Sequence, residues 1–86
     1  MYYVYILQSK KDKKLYLGST NNLKRRLIEH NKGLALSTKL RRPLELIYYE
    51  AYKSEKDARN REQNLKLRAK AHIQLKTRIK NSMLIY

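Results

Sequence analysis

Tyr2 to Leu7 is a short run of aromatic and β-branched residues, the composition of a strand. The polar segment Ser9-Lys10-Lys11-Asp12-Lys13-Lys14 interrupts it before Leu15-Tyr16-Leu17 resumes the apolar pattern. This spacing predicts a hairpin, and with no glycine in the connection the turn type stays open. Gly18 ends the second strand. Ser19-Thr20-Asn21-Asn22 supplies helix N-cap residues. Leu23 and Leu27 begin a helical register that runs to about Asn31, with Gly33 as its stop signal. Residues 32–42 read as a basic loop closed by Pro43. Leu44 to Tyr52, rich in Leu, Ile and Tyr, alternates imperfectly and reads as a third strand.

Ser54-Glu55-Lys56-Asp57 resembles a capping box with Asp in the place of Glu or Gln. A long helix is expected from there to about Ala69, and a further one from Ala71 to Lys80 with Ile73 and Ile79 among its apolar positions. The short apolar end Met83-Leu84-Ile85 either docks on the core or frays. The order β-β-α-β-α-α predicts an α+β fold, a small three-stranded antiparallel sheet flanked by helices. Residues 1–77 form the expected domain and 78–86 a helix end and tail. At 86 residues one core is the ceiling.

Composition sharpens this picture. Lys and Arg number 21 against 7 Asp and Glu, a net charge of +14, so a polyanionic partner is the first expectation. The absence of cysteine removes disulfides, thiolate metal sites and cysteine nucleophiles together. No apolar run approaches the roughly 20 residues of a membrane span, and the N-terminus lacks a signal peptide's basic start and cleavage site. The expected location is cytoplasmic. Disorder is excluded by a 42% hydrophobic content and eight tyrosines.

Helical spacing makes two charged residues conspicuous. Arg26 and His30 lie on the Leu23/Leu27 stripe of the first helix, and Glu62 lies between Ala58, Leu65 and Ala69 on the second. A charge aimed at the core needs a partner or a cavity. Arg26 and Glu62 therefore either form one structural ion pair, with His30 hydrogen-bonded nearby, or line a cleft. In a cleft the guanidinium grips phosphate and the carboxylate a cation. Tyr5 and Tyr16 sit on adjacent strands. They are packing residues unless their hydroxyls face that cleft.

The order of these residues resembles the GIY-YIG nuclease domain, in its small single-domain bacterial branch of UPF0213 type. Tyr3-Val4-Tyr5 stands at the first motif and Tyr16-Leu17-Gly18 at the second. The helix after the second motif carries Arg26 and, four residues later, His30, like the family's helix with its essential arginine. Ala58-Arg59-Asn60-Arg61-Glu62-Gln63-Asn64-Leu65-Lys66 resembles the segment with the metal-binding glutamate. The likeness extends over roughly residues 1–77. One departure is Tyr3, where the first motif has glycine.

The resemblance implies hydrolysis of DNA phosphodiester bonds assisted by one divalent cation, Mg2+ or Mn2+. Glu62 would be the metal ligand and Arg26 would stabilise charge on the scissile phosphate. Tyr5 and Tyr16 would position or deprotonate the attacking water, and which of them is the base stays open. His30 is a proton relay, a phosphate donor or a packing histidine. The acids are too scattered for the carboxylate cluster of a two-metal site, whereas one carboxylate with waters and phosphate suits magnesium.

Lys39, Arg41 and Arg42 in the loop, and Arg59, Arg61, Lys66, Arg68, Lys70, Lys76, Arg78 and Lys80 on the last helices, form a candidate backbone-binding track. About half of them are accounted for equally well as a solvated face. Phosphate contacts carry no sequence information, and no zinc finger or helix-turn-helix accompanies them. Weakly specific or structure-selective cutting follows, or recruitment by another protein. The alternatives are a non-catalytic DNA- or RNA-binding module of the same fold, and a basic adaptor for an acidic protein.

Overall fold

The computed structural model describes residues 1–83, with β1 (Tyr2–Ser9), β2 (Leu15–Thr20), α1 (Leu23–Asn31), β3 (Leu44–Tyr52), α2 (Glu55–Leu67) and α3 (Ala69–Arg78) in the expected order. Short 3-10 turns occupy Lys39–Arg41 and Lys80–Ser82. The sheet is antiparallel with β1 at its centre, in the order β2-β1-β3. The most apolar strand takes the central place, and Val4 through Ser9 are all buried. A bulge sets in between Ile6 and Leu7, where the partner on β3 jumps from Tyr48 to Leu46.

Alternation along β1 sends residues to two cores. Val4 and Ile6 pack with Ala58 and Leu65 of α2 and with Leu75 and Ile79 at α3. Tyr5, Leu7 and Leu44 pack on the opposite face with Tyr16, Leu23, Leu27 and Leu46. Burial of each large aliphatic chain contributes about 1.5–3 kcal/mol. The helices thus cover both faces of the sheet, α2 on one face across the strands and α1 on the other chiefly against β3.

The hairpin turns without glycine because Lys13 adopts a left-handed conformation, φ +63. The Ser9 side-chain oxygen accepts from the Lys11 and Asp12 amides, each at 3.1 Å. At the start of α1 the Asn22 carboxamide accepts from the Arg25 amide at 3.0 Å. Gly33, φ +79, closes the helix by donating to the His30 carbonyl.

Three expectations change. The second helix ends at Leu67, not Ala69, because Arg68 is extended (φ −116, ψ 104) and α3 starts immediately after it. Ala69 is therefore solvent-exposed and leaves the inward stripe to Ala58 and Leu65. Ser54 occupies the N-cap of α2 but its side chain makes no capping bond. On α3 Ile73 points to solvent, whereas Ile79, just past its end, is buried. Of the apolar C-terminal end, Leu84 and Ile85 lie outside the described residues.

Candidate active site

The site is built around the end of β2. Tyr5 is the cross-strand partner of Gly18, and its ring leans across that position. A Cβ on Gly18 would lie 2.7 Å from the Tyr5 hydroxyl oxygen and 3.1 Å from a Tyr16 ring carbon. The glycine serves a side-chain ring crossing the strand, not a turn.

Tyr5 is buried, and its hydroxyl is hydrogen-bonded to His30 Nε2 at 2.8 Å. The other ring nitrogen, Nδ1, is bonded to Thr38 Oγ1 at 2.7 Å, with both residues fully buried. Tyr16 leans on the same imidazole, ring centroids 5.1 Å apart. Burial pushes the Tyr5 hydroxyl up to about 12; the Arg26 guanidinium beside it pulls the other way, and the Tyr16 and Glu62 charges add to the rise. Burial also lowers the His30 pKa, helped by Arg26 and opposed by Glu29. At neutral pH Tyr5 keeps its proton and His30 is uncharged. A neutral imidazole has one donor and one acceptor nitrogen. The Tyr5–His30–Thr38 chain therefore polarises in one direction at a time.

Arg26 is bonded at 3.1 Å to Glu29, one turn along α1. Its guanidinium opens on a cavity of about 340 Å³ that is also lined by Ser19, Asn21, Arg25, Glu55 and Arg59. Across the β2 edge, Glu62 accepts from the Ser19 hydroxyl at 2.6 Å and is paired with Lys66 at 2.8 Å. Burial works to raise the Glu62 pKa, but the Lys66 and Ser19 hydrogen bonds outweigh it, and the carboxyl sits below its ordinary value. The direct Arg26–Glu62 ion pair is absent among the described residues. Each has its own partner, and both charges act on Tyr5.

No group of three or more His, Cys, Asp or Glu side chains suited to a metal occurs among the described residues. The donor set still fits a hard cation held by one carboxylate, with water and substrate phosphate supplying the rest. Lys66 supports this, since its ammonium already rests on a Glu62 oxygen as a stand-in cation. Its side chain is half-exposed.

The structure gives two of the candidate track residues other work. Arg61 binds Glu50 through two hydrogen bonds, 2.9 and 3.1 Å, and the Tyr48 and Tyr52 hydroxyls donate to the same carboxylate. Arg41 pairs with Asp12 at 3.1 Å and donates to the Leu15 carbonyl, tying the loop to the hairpin. These two hold the fold together instead of facing outward. Arg59 lines the cavity, exposed and paired with Glu55. Lys39, Arg42 and Arg68 are exposed, with Arg42 donating to the Lys39 carbonyl. Lys66 is engaged by Glu62.

Two residues beside the catalytic candidates escape a reading of the sequence. Ser19 looks like helix-cap material, yet Asn22 does the capping and Ser19 holds Glu62. Thr38 belongs to an irregular loop where no periodicity links it to His30.

The sequence matches the GIY-YIG catalytic domain over residues 1–80. It is 45% identical over 67 residues to a UPF0213 protein of Clostridium perfringens, covering 77% of this chain and 71% of that one. A UPF0213 protein of Staphylococcus haemolyticus is 44% identical over 66 residues, 76% of this chain and 79% of its own. Among solved structures, the solution NMR structure of a UPF0213 protein from Bacillus halodurans is similar, with a TM-score of 0.56 and 35% identity. That likeness covers 90% of this chain and 84% of that one. With the family model spanning nearly all of the chain and the fold shared with a UPF0213 protein, this protein belongs to the GIY-YIG family.

Proposed function

We propose that this protein is a divalent-metal-dependent endonuclease that hydrolyses phosphodiester bonds of DNA with little sequence preference. The reading is supported above all by one observation. The Tyr5 hydroxyl lies against Gly18, and the next residue, Ser19, both holds Glu62 and lines the cavity onto which Arg26 opens, so groups from β1, α1 and α2 gather around the end of β2.

Glu62, ionised and steadied by Ser19, would hold Mg2+ or Mn2+ once Lys66 moves aside. A cation bound there supplies Lewis-acid charge to the substrate phosphate. Arg26 presents a planar, permanently charged fork to the non-bridging oxygens of the scissile phosphate. Its ion pair to Glu29 is about one-third exposed on each side, so a substrate phosphate can compete for the guanidinium. Tyr5, protonated at neutral pH and fixed by His30, would orient the attacking water, and the proton that water loses would pass through solvent in the open cavity to the leaving oxygen. When Thr38 donates to Nδ1 and Nε2–H donates to Tyr5, the tyrosine's own proton is free for the water or a phosphate oxygen. Exposed basic groups, Arg59 and Arg25 at the cavity and Lys39, Arg42 and Arg68 beyond it, would hold the backbone on either side.

The test is cleavage of supercoiled, branched and single-stranded DNA, and of RNA, with Mg2+, with Mn2+ and with chelator. Cutting that needs the cation and falls at least about a hundredfold in Arg26→Ala is the expected result. A protein that binds nucleic acid but cuts none of these would be a binding module that retains the fold. Affinity that hardly changes with salt would count against nucleic acid altogether.

A further inference from the structure

A second concavity lies on the α1 face of the sheet. It is a groove of about 580 Å³ whose walls include Tyr3, Tyr49, Leu23, Leu46, Lys24 and Asn21. Asn21 also lines the Arg26 cavity, so the two concavities adjoin. The volume falls within the range of about 300–1,000 Å³ common to ligand sites. The Tyr3 and Tyr49 rings meet edge to face, centroids 5.9 Å apart at 66°. Tyr3 stands opposite Ala51 in the register, so the two tyrosines are diagonal neighbours on adjacent strands. Diagonal packing explains their contact. It leaves unexplained why Tyr49 remains 53% exposed beside an open groove.

We infer that this groove is a nucleobase subsite, in which an unpaired base of the bound strand stacks on Tyr49 and Tyr3. The same strand's backbone would pass Lys24 and Asn21 to reach Arg26. The chemistry favours this occupant over an apolar one. Aromatic rings offered beside a cationic side chain are how proteins hold single strands without reading sequence. The surrounding charge, +14 over the chain, repels basic partners and attracts phosphate. Lys24 and Arg26 stand two residues apart on α1, one at each concavity. A base inside a duplex is closed in its stack, so only a single-stranded or extruded nucleotide can enter. The inference rests on the nucleic-acid substrate proposed above and deepens it to strands with an unpaired base.

The test reads binding in chelator, without metal. A single-stranded oligonucleotide carrying 2-aminopurine at one position, scanned along the strand, should be quenched by stacking at a defined position when the wild-type protein binds. Tyr49→Leu should lose that quench and weaken single-strand binding about fivefold or more. Tyr49→Phe should retain both, and blunt duplex binding should be equal in all three proteins. Absence of a quench at every position with the wild-type protein would overturn the subsite, whether or not the leucine variant folds. So would a leucine variant that binds single strands as wild type does, or one that loses single strand and duplex equally while melting normally. A protein that quenches 2-aminopurine but never cuts keeps the subsite and loses the nuclease. One that cuts with Mg2+ but never quenches loses the subsite alone.

Discussion

Replacing Glu62 with alanine separates a catalytic carboxylate from a structural one, because the structure sets how much folding energy it carries. If Glu62 were the buried partner of Arg26, its loss would strand a guanidinium at about 3–5 kcal/mol. An 86-residue domain with a total stability of about 5–15 kcal/mol would then be close to unfolding. The observed partners are different. Ser19 donates to one oxygen and Lys66 sits on the other. Loss of a hydrogen bond between a hydroxyl and a charged acceptor costs about 1.5–3 kcal/mol. The freed Ser19 hydroxyl lines an open cavity, so water relieves part of that. Lys66 is 49% exposed and contributes at most about 0.5 kcal/mol as an i,i+4 pair, while alanine returns a few tenths through its helix propensity.

The balance is about 1–2 kcal/mol, a fall in Tm of about 5–15 °C at this size. Glu62→Ala should therefore fold, bind DNA in chelator at least as well as wild type, and no longer cut. The measurement joins a thermal melt, a binding titration and a cleavage time course on the same preparations. A variant unfolded at room temperature would refute the energetic argument and restore a structural role. A variant that cuts at the wild-type rate would remove Glu62 from the mechanism.

Three further outcomes follow from other parts of the structure. Glu50 is the acceptor for Arg61, Tyr48 and Tyr52, and its side chain is only 16% exposed, so Glu50→Gln should lower stability by about 3 kcal/mol in a denaturant titration. Burial tends to raise the Glu50 pKa, but the Arg61 and tyrosine bonds bring it below the ordinary value. Its contribution is thus present above the unfolded pKa of about 4.3 and is lost as pH falls through the folded value, an acid slope that the Gln variant should flatten. Gly18→Ala drives a Cβ into the Tyr5 ring; it should destabilise by about 1–3 kcal/mol and reduce cleavage further than a melt accounts for. His30 is kept neutral by burial, whereas in the unfolded chain it takes up a proton near pH 6.5. Stability should fall as pH drops through that value, and Thr38→Val, which leaves Nδ1 buried without a partner, should cost about 1–3 kcal/mol in melts at neutral pH.

What the chain determined by itself is local. The aromatic and aliphatic run of β1 marks it as a strand wherever it is placed, and Asn22 and Gly33 bound α1 through their own backbone chemistry. The i,i+4 spacing of Arg26 and His30, and the place of Glu62 between Ala58 and Leu65, follow from helix period alone. Those residues could be singled out because apolar stripes make an inward charge visible. Tertiary structure decided the pairings. Ser19 meets Glu62 across 43 positions and Tyr5 meets His30 across 25, distances over which periodicity carries no information. Composition ranks every arginine alike, and only the fold separates Arg61, held by Glu50, and Arg41, held by Asp12, from Arg59, which opens on the cavity. Thr38 and Ser19 have no signature in the chain because a short hydroxyl acquires its role from whatever strand register and helix docking bring within hydrogen-bond reach. That reach is about 3 Å, far finer than the pattern of polar and apolar positions that chooses the fold.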